Sequence, residues 1–418
     1  MTREIAPVAH GPAGTLEKPD WPPLTLDEAD AVLRLYPEAG GAARLVTVSP
    51  RPFSAASVVE TPRGALRKAV FVKRHHQAVR SRAGLLEEHR LLEYLAAARW
   101  PGGLAMAQAS IVQAPLRDAS GGTVQVRGEW VYEAHPVADG ADLYREAHSW
   151  TPFASVEHAR AAGRALAGLH LALKDYDVPA RMPEPLVTSW TIFAGDDPLR
   201  GMEAYLERRP ALKAYAEERR WRESMRELLL PWHESLRGFL PHLKPLWTHN
   251  DFHASNLMWK QVGSGSGESE SEARVSAIVD FGLADRTNAV HDVATAIERN
   301  AIEWLRMTEL ATGSPGGSPS IVHYDQVDAL LAGYQEIRPL SRMERQAIAA
   351  MLPLVHCEFA LSETDYFLSV LHDPAKAYLG YEGYFLSHAA WFRAGEGVEL
   401  LRHLERWADS PEHEVRLL

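Results

Sequence analysis

The chain has 418 residues, 46% of them hydrophobic and 24% charged, with a formal net charge of −11. That length suffices for two to three ordinary domains, or for one small and one large, and the excess of acid argues against a general nucleic-acid binder. Cys357 is the only cysteine, which excludes an intrachain disulfide and a cysteine-rich metal site, and no run reaches the roughly 18–20 apolar residues of a membrane helix.

The first 24 residues are rich in Pro, Gly and Ala and read as a loose arm. They lack the apolar core of a secretory signal, so the expected compartment is the cytoplasm, with no membrane partner. "TLDEADAVLRLYP" then offers Thr25 as an N-cap, acids in the first turn and apolar positions at helical spacing. Three β-type runs follow, 43–49, 56–61 and 68–74, with the turn signal "TPRG" between the second and third. "LLEEHRLLEYLAAAR" predicts a helix, and "ASIVQAP" and "TVQVRGEWVYEA" predict two more strand-like pieces. After residue 150 the periodicity becomes mostly helical, and "SVEHARAAGRALAGLHLAL" gathers its small and apolar residues on one face. "QVGSGSGESESEAR", residues 261–274, reads as the flexible tip of a long hairpin between two strands.

The stretch "LWTHNDFHASNLMW", residues 246–259, crowds polar side chains between large apolar ones. A buried polar group left without a partner costs about 1–3 kcal/mol, so such a stretch usually holds a ligand. His249, Asp251 and Asn256 follow the order H-x-D-x-x-x-x-N, and 24 residues after Asn256 comes "IVDFG", with Asp280 at the end of an apolar run. Phosphoryl transfer needs these types: a carboxylate to orient or accept the proton of a hydroxyl, and an amide oxygen plus a second carboxylate to hold Mg²⁺ on ATP phosphates. Upstream, Lys73 lies in the strand "VFVKR" and Glu88 in the next helix, where an inward lysine needs an acidic partner. Glu87 and Glu93 on the same helix are alternatives. The pairs His75/His76 and His242/His249 offer no completed tetrahedral metal set, and the tryptophans read as core anchors.

On "VFVKR", "EHRLLEYLA", "GRALAGLH", "HNDFHASNLMW" and "IVDFGLADRTNAVHDVATAI" the chain resembles the aminoglycoside phosphotransferase/choline kinase group, small-molecule relatives of the protein kinases. The resemblance implies an α+β, two-lobed, protein-kinase-like fold, with a small N-terminal antiparallel sheet and one key helix over a larger, mostly helical C-terminal lobe. Its expected boundaries are 25–135 and 136–418, the latter with a catalytic loop (246–259) and a metal-binding segment (277–295). Asp251 is then the catalytic aspartate, His249 a brace of its loop, Asn256 and Asp280 the Mg²⁺ ligands, and Lys73 with Glu88 the phosphate-positioning pair. Backbone near Glu133 and His135 would meet adenine, and Asp292 would hold the catalytic loop from below. The loop "SPRPFSAAS" lacks phosphate-covering glycines, and Ser54, Ser57 or backbone amides are its stand-ins. The implied activity moves the γ-phosphate of ATP to the hydroxyl of a small molecule. The alternatives are a nucleotide-binding regulator without turnover, against which Asp251 speaks, and an atypical protein kinase, against which the absence of an "APE"-type segment speaks. Neither the acceptor nor the oligomeric state is legible.

Overall fold

The computed structural model describes residues 19–49, 51–100, 110–147, 150–262, 272–307 and 320–410. Helix α1 (Leu26–Leu33) starts where its cap predicts: the Thr25 hydroxyl accepts from Glu28 N–H and the Glu28 side chain returns to the Thr25 backbone. Strands β1 (Arg44–Leu45), β2 (Ala55–Glu60), β3 (Ala69–His76), β4 (Val124–Arg127) and β5 (Trp130–Pro136) form one antiparallel sheet in the order β1-β2-β3-β5-β4. Between α1 and this sheet lies a small apolar cluster that includes Val32, Tyr36, Val59, Val70, Val72 and Tyr132.

Three expectations change here. The first predicted strand is regular over two residues only. Val46 and Ser49 still donate to Val58 and Ala56 carbonyls, and residues 51–54 have no regular structure before β2. "ASIVQAP" is not a strand over its described residues. Its Ile111 carbonyl accepts from Ile278 and Leu116 N–H donates to Ala134, so it links the sheet to the helical half. "TVQVRGEWVYEA" is a hairpin rather than one piece, because Gly128 takes φ +58°, which a tight turn requires and glycine accepts without strain. Helix α2 (Arg82–Ala97) begins three residues before the predicted run, capped by the Ser81 hydroxyl.

The helical half contains α3 (Val156–Ala172), α4 (Pro198–Glu207), α5 (Pro210–Glu218), and α6 (Trp221–Ser224), which passes through a π-helical turn into α7 (Leu230–Arg237). Two small antiparallel ribbons then deliver the polar stretch. β6 (Pro245–Thr248) pairs with β9 (Asp285–Asn288), and β7 (Leu257–Val262) with β8 (Glu272–Ile278). The expected tip of the β7–β8 hairpin lies largely outside the described residues, at 263–271. Helix α8 (Ala289–Ala301) follows, then helices Tyr324–Ile337, Arg342–Met351 and Cys357–Ser369. The larger core gathers here, with Trp221, Trp247, Trp259 and Trp304 fully buried. The small face of α3 has a specific use. A Cβ on Gly163 would stand 2.0 Å from the Leu330 carbonyl, and one on Gly333 2.0 Å from that of Arg160, so the two helices touch backbone to backbone. Among the described residues no helix is long and apolar enough to cross a membrane.

Candidate active site

The ribbons bring both halves of the polar motif to one cleft of about 400 Å³, whose walls include Lys73, Glu88, Glu133, His135, Asn256 and Asp280. The loop after β6 is held from beneath. Buried Asp292 on α8 accepts from the backbone N–H of His249 (2.9 Å) and Asn250 (2.8 Å), and His170 contacts its carboxylate at 3.0 Å. Asn250 has a φ of +60°, and asparagine tolerates the left-handed region that this turn requires. Its side chain then accepts from Thr248 and donates to Thr188 and Leu283 carbonyls. His249 places Nε2 3.1 Å from the Val279 carbonyl, and its Nδ1 accepts from Asp251 N–H at 3.3 Å. It joins the two polar segments and faces no substrate space of its own.

Asp251 is 14% exposed. Burial opposes its charge, but His253 and the Arg299 guanidinium outweigh it and hold the carboxyl well below the usual range. His253 uses both ring nitrogens, one toward Asp251 Oδ2 (3.4 Å) and one toward Ser255 Oγ (2.9 Å), so it is a satisfied loop histidine. The Asn256 amide nitrogen donates to the Asp251 carbonyl (2.9 Å) and carboxylate (3.3 Å). That leaves Asn256 Oδ1 for a ligand. Asp280, also at φ +60°, lies two residues past β8 and remains 39% exposed. An amide oxygen and a carboxylate lining one cleft are the hard donors that Mg²⁺ prefers, so the pair fits that ion.

Lys73 points into the cleft from β3, but its partner differs from the expected one. Its ammonium lies 2.9 Å from Asp280 Oδ1. Burial opposes its charge, while Asp280, Glu133 and Glu88 together push its pKa up. Glu88 is buried, and its ion-pair partner is Arg181 at 3.8 Å. Arg181 comes from the segment after α3 and also donates to the carbonyls of Gly84, Gly282 and Ala284. Arg80 donates to the same Gly282 carbonyl at 2.8 Å. The Lys73–Glu88 ion pair is therefore replaced by two others, because a buried guanidinium competes for the glutamate.

Two further expectations are corrected. Glu133 lies in mid-strand, in register with Lys73 on one side and Val124 on the other, so its backbone is spent on the ladder. His135 is likewise paired with Phe71. The Glu133 carboxylate is collared by His75 (3.0 Å), His89 (2.9 Å) and His135 (2.6 Å), which keep it well below the usual range despite burial. The cleft wall available to a base is Pro136, Val137 and Ala138, just beyond. Ser54 lines the cleft, but Ser57 faces the other side of β2 and donates to the Thr47 carbonyl.

The model of the phosphotransferase enzyme family matches residues 53–352. The chain belongs to this family. Homoserine kinases of Burkholderia cenocepacia and Burkholderia orbicola are each 26% identical over 209 residues, covering 47% of this chain and 50% of theirs. The match thus spans about half the length of these curated relatives. A microcompartment-associated aminopropanol kinase superposes with a TM-score of 0.51 at 17% identity, over 88% of this chain and 94% of that one, which establishes the protein-kinase-like fold.

In this family member the loop after β6 also borders groups that no sequence motif marks. Arg299, 4% exposed, lies 3.5 Å from Asp251 and from Glu298, with its guanidinium near the rings of Trp150, Phe359 and Tyr384. Burial pushes the Glu298 carboxyl up to about 7. Arg51, from the glycine-poor loop, donates to Ser255 Oγ (2.6 Å) and the Ala147 carbonyl (3.1 Å) and lines the cleft. Burial works against its charge, and Asp251 and Asp280 are the foremost acids supporting it. Only the "ERN" end of α8, one helix length past "DFG", could have pointed to the first two. Nothing local marks Arg51.

Proposed function

We propose that this chain transfers the γ-phosphate of ATP to a hydroxyl group of a small molecule. The observation that carries the reading is the convergence of Lys73, Asn256 and Asp280 on one cleft between the sheet and the helical half, with the Asp251 carboxylate beside it accepting from the Asn256 amide at 3.3 Å. Asp251 is ionised and held in place by Asn256 and His253, so it can orient an acceptor hydroxyl and take its proton. Asn256 and Asp280 would hold Mg²⁺, which when bound neutralises phosphate charge and favours transfer. Lys73 would leave Asp280 for the α- and β-phosphates once that carboxylate has a metal to bind. The base would lie along Pro136–Ala138. The acceptor would approach Asp251 from the side of Arg299 and its aromatic neighbours. Use of ATP implies a compartment that contains it, and we place the protein in the cytoplasm.

Coupled detection of ADP over a panel of hydroxylated metabolites tests the reading. Homoserine and other small amino alcohols head the panel, because the matched relatives are homoserine kinases. With the acceptor found, Asp251→Asn should lower kcat at least about a hundredfold, the usual size of a general-base effect, and leave nucleotide affinity nearly unchanged. Near-normal kcat in that variant would remove Asp251 from the chemistry.

A further inference from the structure

We propose that Arg51 contacts the γ-phosphate of the bound nucleotide and does the work that backbone amides of a glycine-rich loop do in other kinases. The inference rests on the phosphotransfer reading and adds a residue to it. "SPRPFSAAS" offers phosphate fewer backbone N–H groups, since its two prolines have none, and it has no glycine. It does place a guanidinium at the cleft. One terminal nitrogen, Nη2, is anchored at both of its hydrogens, on Ser255 Oγ at 2.6 Å and on the Ala147 carbonyl at 3.1 Å. Nε and the other terminal nitrogen have no acceptor among the described residues, which leaves three N–H donors of a planar fork for a ligand.

The anchor is tied to the reacting carboxylate. Arg51 donates to Ser255, whose hydroxyl pairs with His253 Nδ1 (2.9 Å), and His253 Nε2 faces Asp251 Oδ2 at 3.4 Å. Arg51 is thereby fixed over the same loop that carries Asp251 and Asn256. A triphosphate held by Lys73, Asn256 and Asp280 brings its last phosphate to this place.

In the transfer step the bond between the γ-phosphorus and the β,γ-bridging oxygen breaks, and its electron pair leaves with ADP. A bond forms from the acceptor oxygen to that phosphorus, and the acceptor proton goes to Asp251. Arg51 exchanges no proton. It offsets charge on the equatorial oxygens, a role in which arginine is worth a factor of roughly 10³–10⁵ in kcat where it has been measured in nucleotide hydrolases.

The test compares ATP and ADP binding by calorimetry in the full chain with Mg²⁺ present, and needs no acceptor. Wild type should bind both. Arg51→Ala should lose roughly tenfold or more in ATP affinity while ADP affinity stays within about twofold, because only ATP carries the contacted phosphate. The unchanged ADP affinity also certifies the fold. With an acceptor in hand, kcat should fall at least about a hundredfold, Arg51→Lys should recover binding more than rate, and added guanidinium should partly restore Arg51→Ala. If wild type binds neither nucleotide, the phosphotransfer reading falls and takes this one with it. If wild type binds both and Arg51→Ala keeps the wild-type ratio of ATP to ADP affinity, Arg51 alone is excluded.

Discussion

Glu298 sets the Arg299 guanidinium against a dry environment. Its carboxylate has Arg299 at 3.5 Å and His388 at 3.5 Å, yet burial keeps its pKa near 7 against an ordinary value of 4.5. The folded protein therefore holds a proton that the unfolded chain releases, and stability is lost as pH rises from about 4.5 through 7. A difference of about 2.5 units corresponds to ~3 kcal/mol. Glu298→Gln should raise Tm relative to wild type at pH 8 and give little gain at pH 5. An equal difference at both pH values would mean that the carboxyl is ionised throughout. At this scale the sequence exposed the residues that keep a fixed spacing: Asp251, Asn256 and Asp280 announce one another. Arg51 and Arg299 belong to no spacing pattern. The partner of Glu88 was hidden for another reason, since Arg181 lies 93 positions downstream and only the folded chain brings the two together.

Helix α3 and helix Tyr324–Ile337 meet through Gly163 and Gly333, each facing a carbonyl oxygen of the other helix at a distance no Cβ can occupy. Gly333→Ala gains helix propensity of up to about 1 kcal/mol. It must also push the backbones apart, and overpacking of this kind costs typically 1–3 kcal/mol and occasionally more. The contact is with backbone rather than a flexible side chain, so the loss should win, with a net fall of about 2 kcal/mol in urea unfolding. A variant as stable as wild type would show that the helices can slide. Periodicity identified these helices because an amphipathic face needs only local spacing. It could not say that glycine was the contact, nor that "TVQVRGEWVYEA" folds back at Gly128, since both depend on what lies opposite. The capped helix α1 was legible because its capping groups are sequence neighbours.

Across the whole molecule, burial holds His75, His158, His170, His233, His253, His291 and His356 below the ordinary histidine value, the last two at about 4. Unfolding frees these imidazoles to take protons near pH 6.5, so the unfolded chain binds more protons than the folded one below that pH. The seven imidazoles outnumber Glu298, whose slope has the opposite sign, so net stability should change little above about pH 8 and fall between about 6.5 and 4, with His291 and His356 each contributing on the order of 3 kcal/mol at the lower end. Denaturant midpoints at pH 7.5, 6 and 5 check this, and a midpoint that holds down to pH 5 would contradict it. Replacing His291 by Phe should soften the slope.

The clamp on α2 has a consequence for control. Arg80 and Arg181, both buried, tie the start of that helix to the Gly282 carbonyl, and Arg181 also reaches Gly84 and Glu88. Swinging α2 outward would strand two guanidinium groups and a carboxylate away from both partners and water, at several kcal/mol. In protein kinases, activity is controlled through the position of the corresponding helix. Among the described residues these contacts set that cost against any outward swing of α2. For the kinase proposed above, that favours a throughput set by the supply of ATP and acceptor, as with a valve whose handle is stiff.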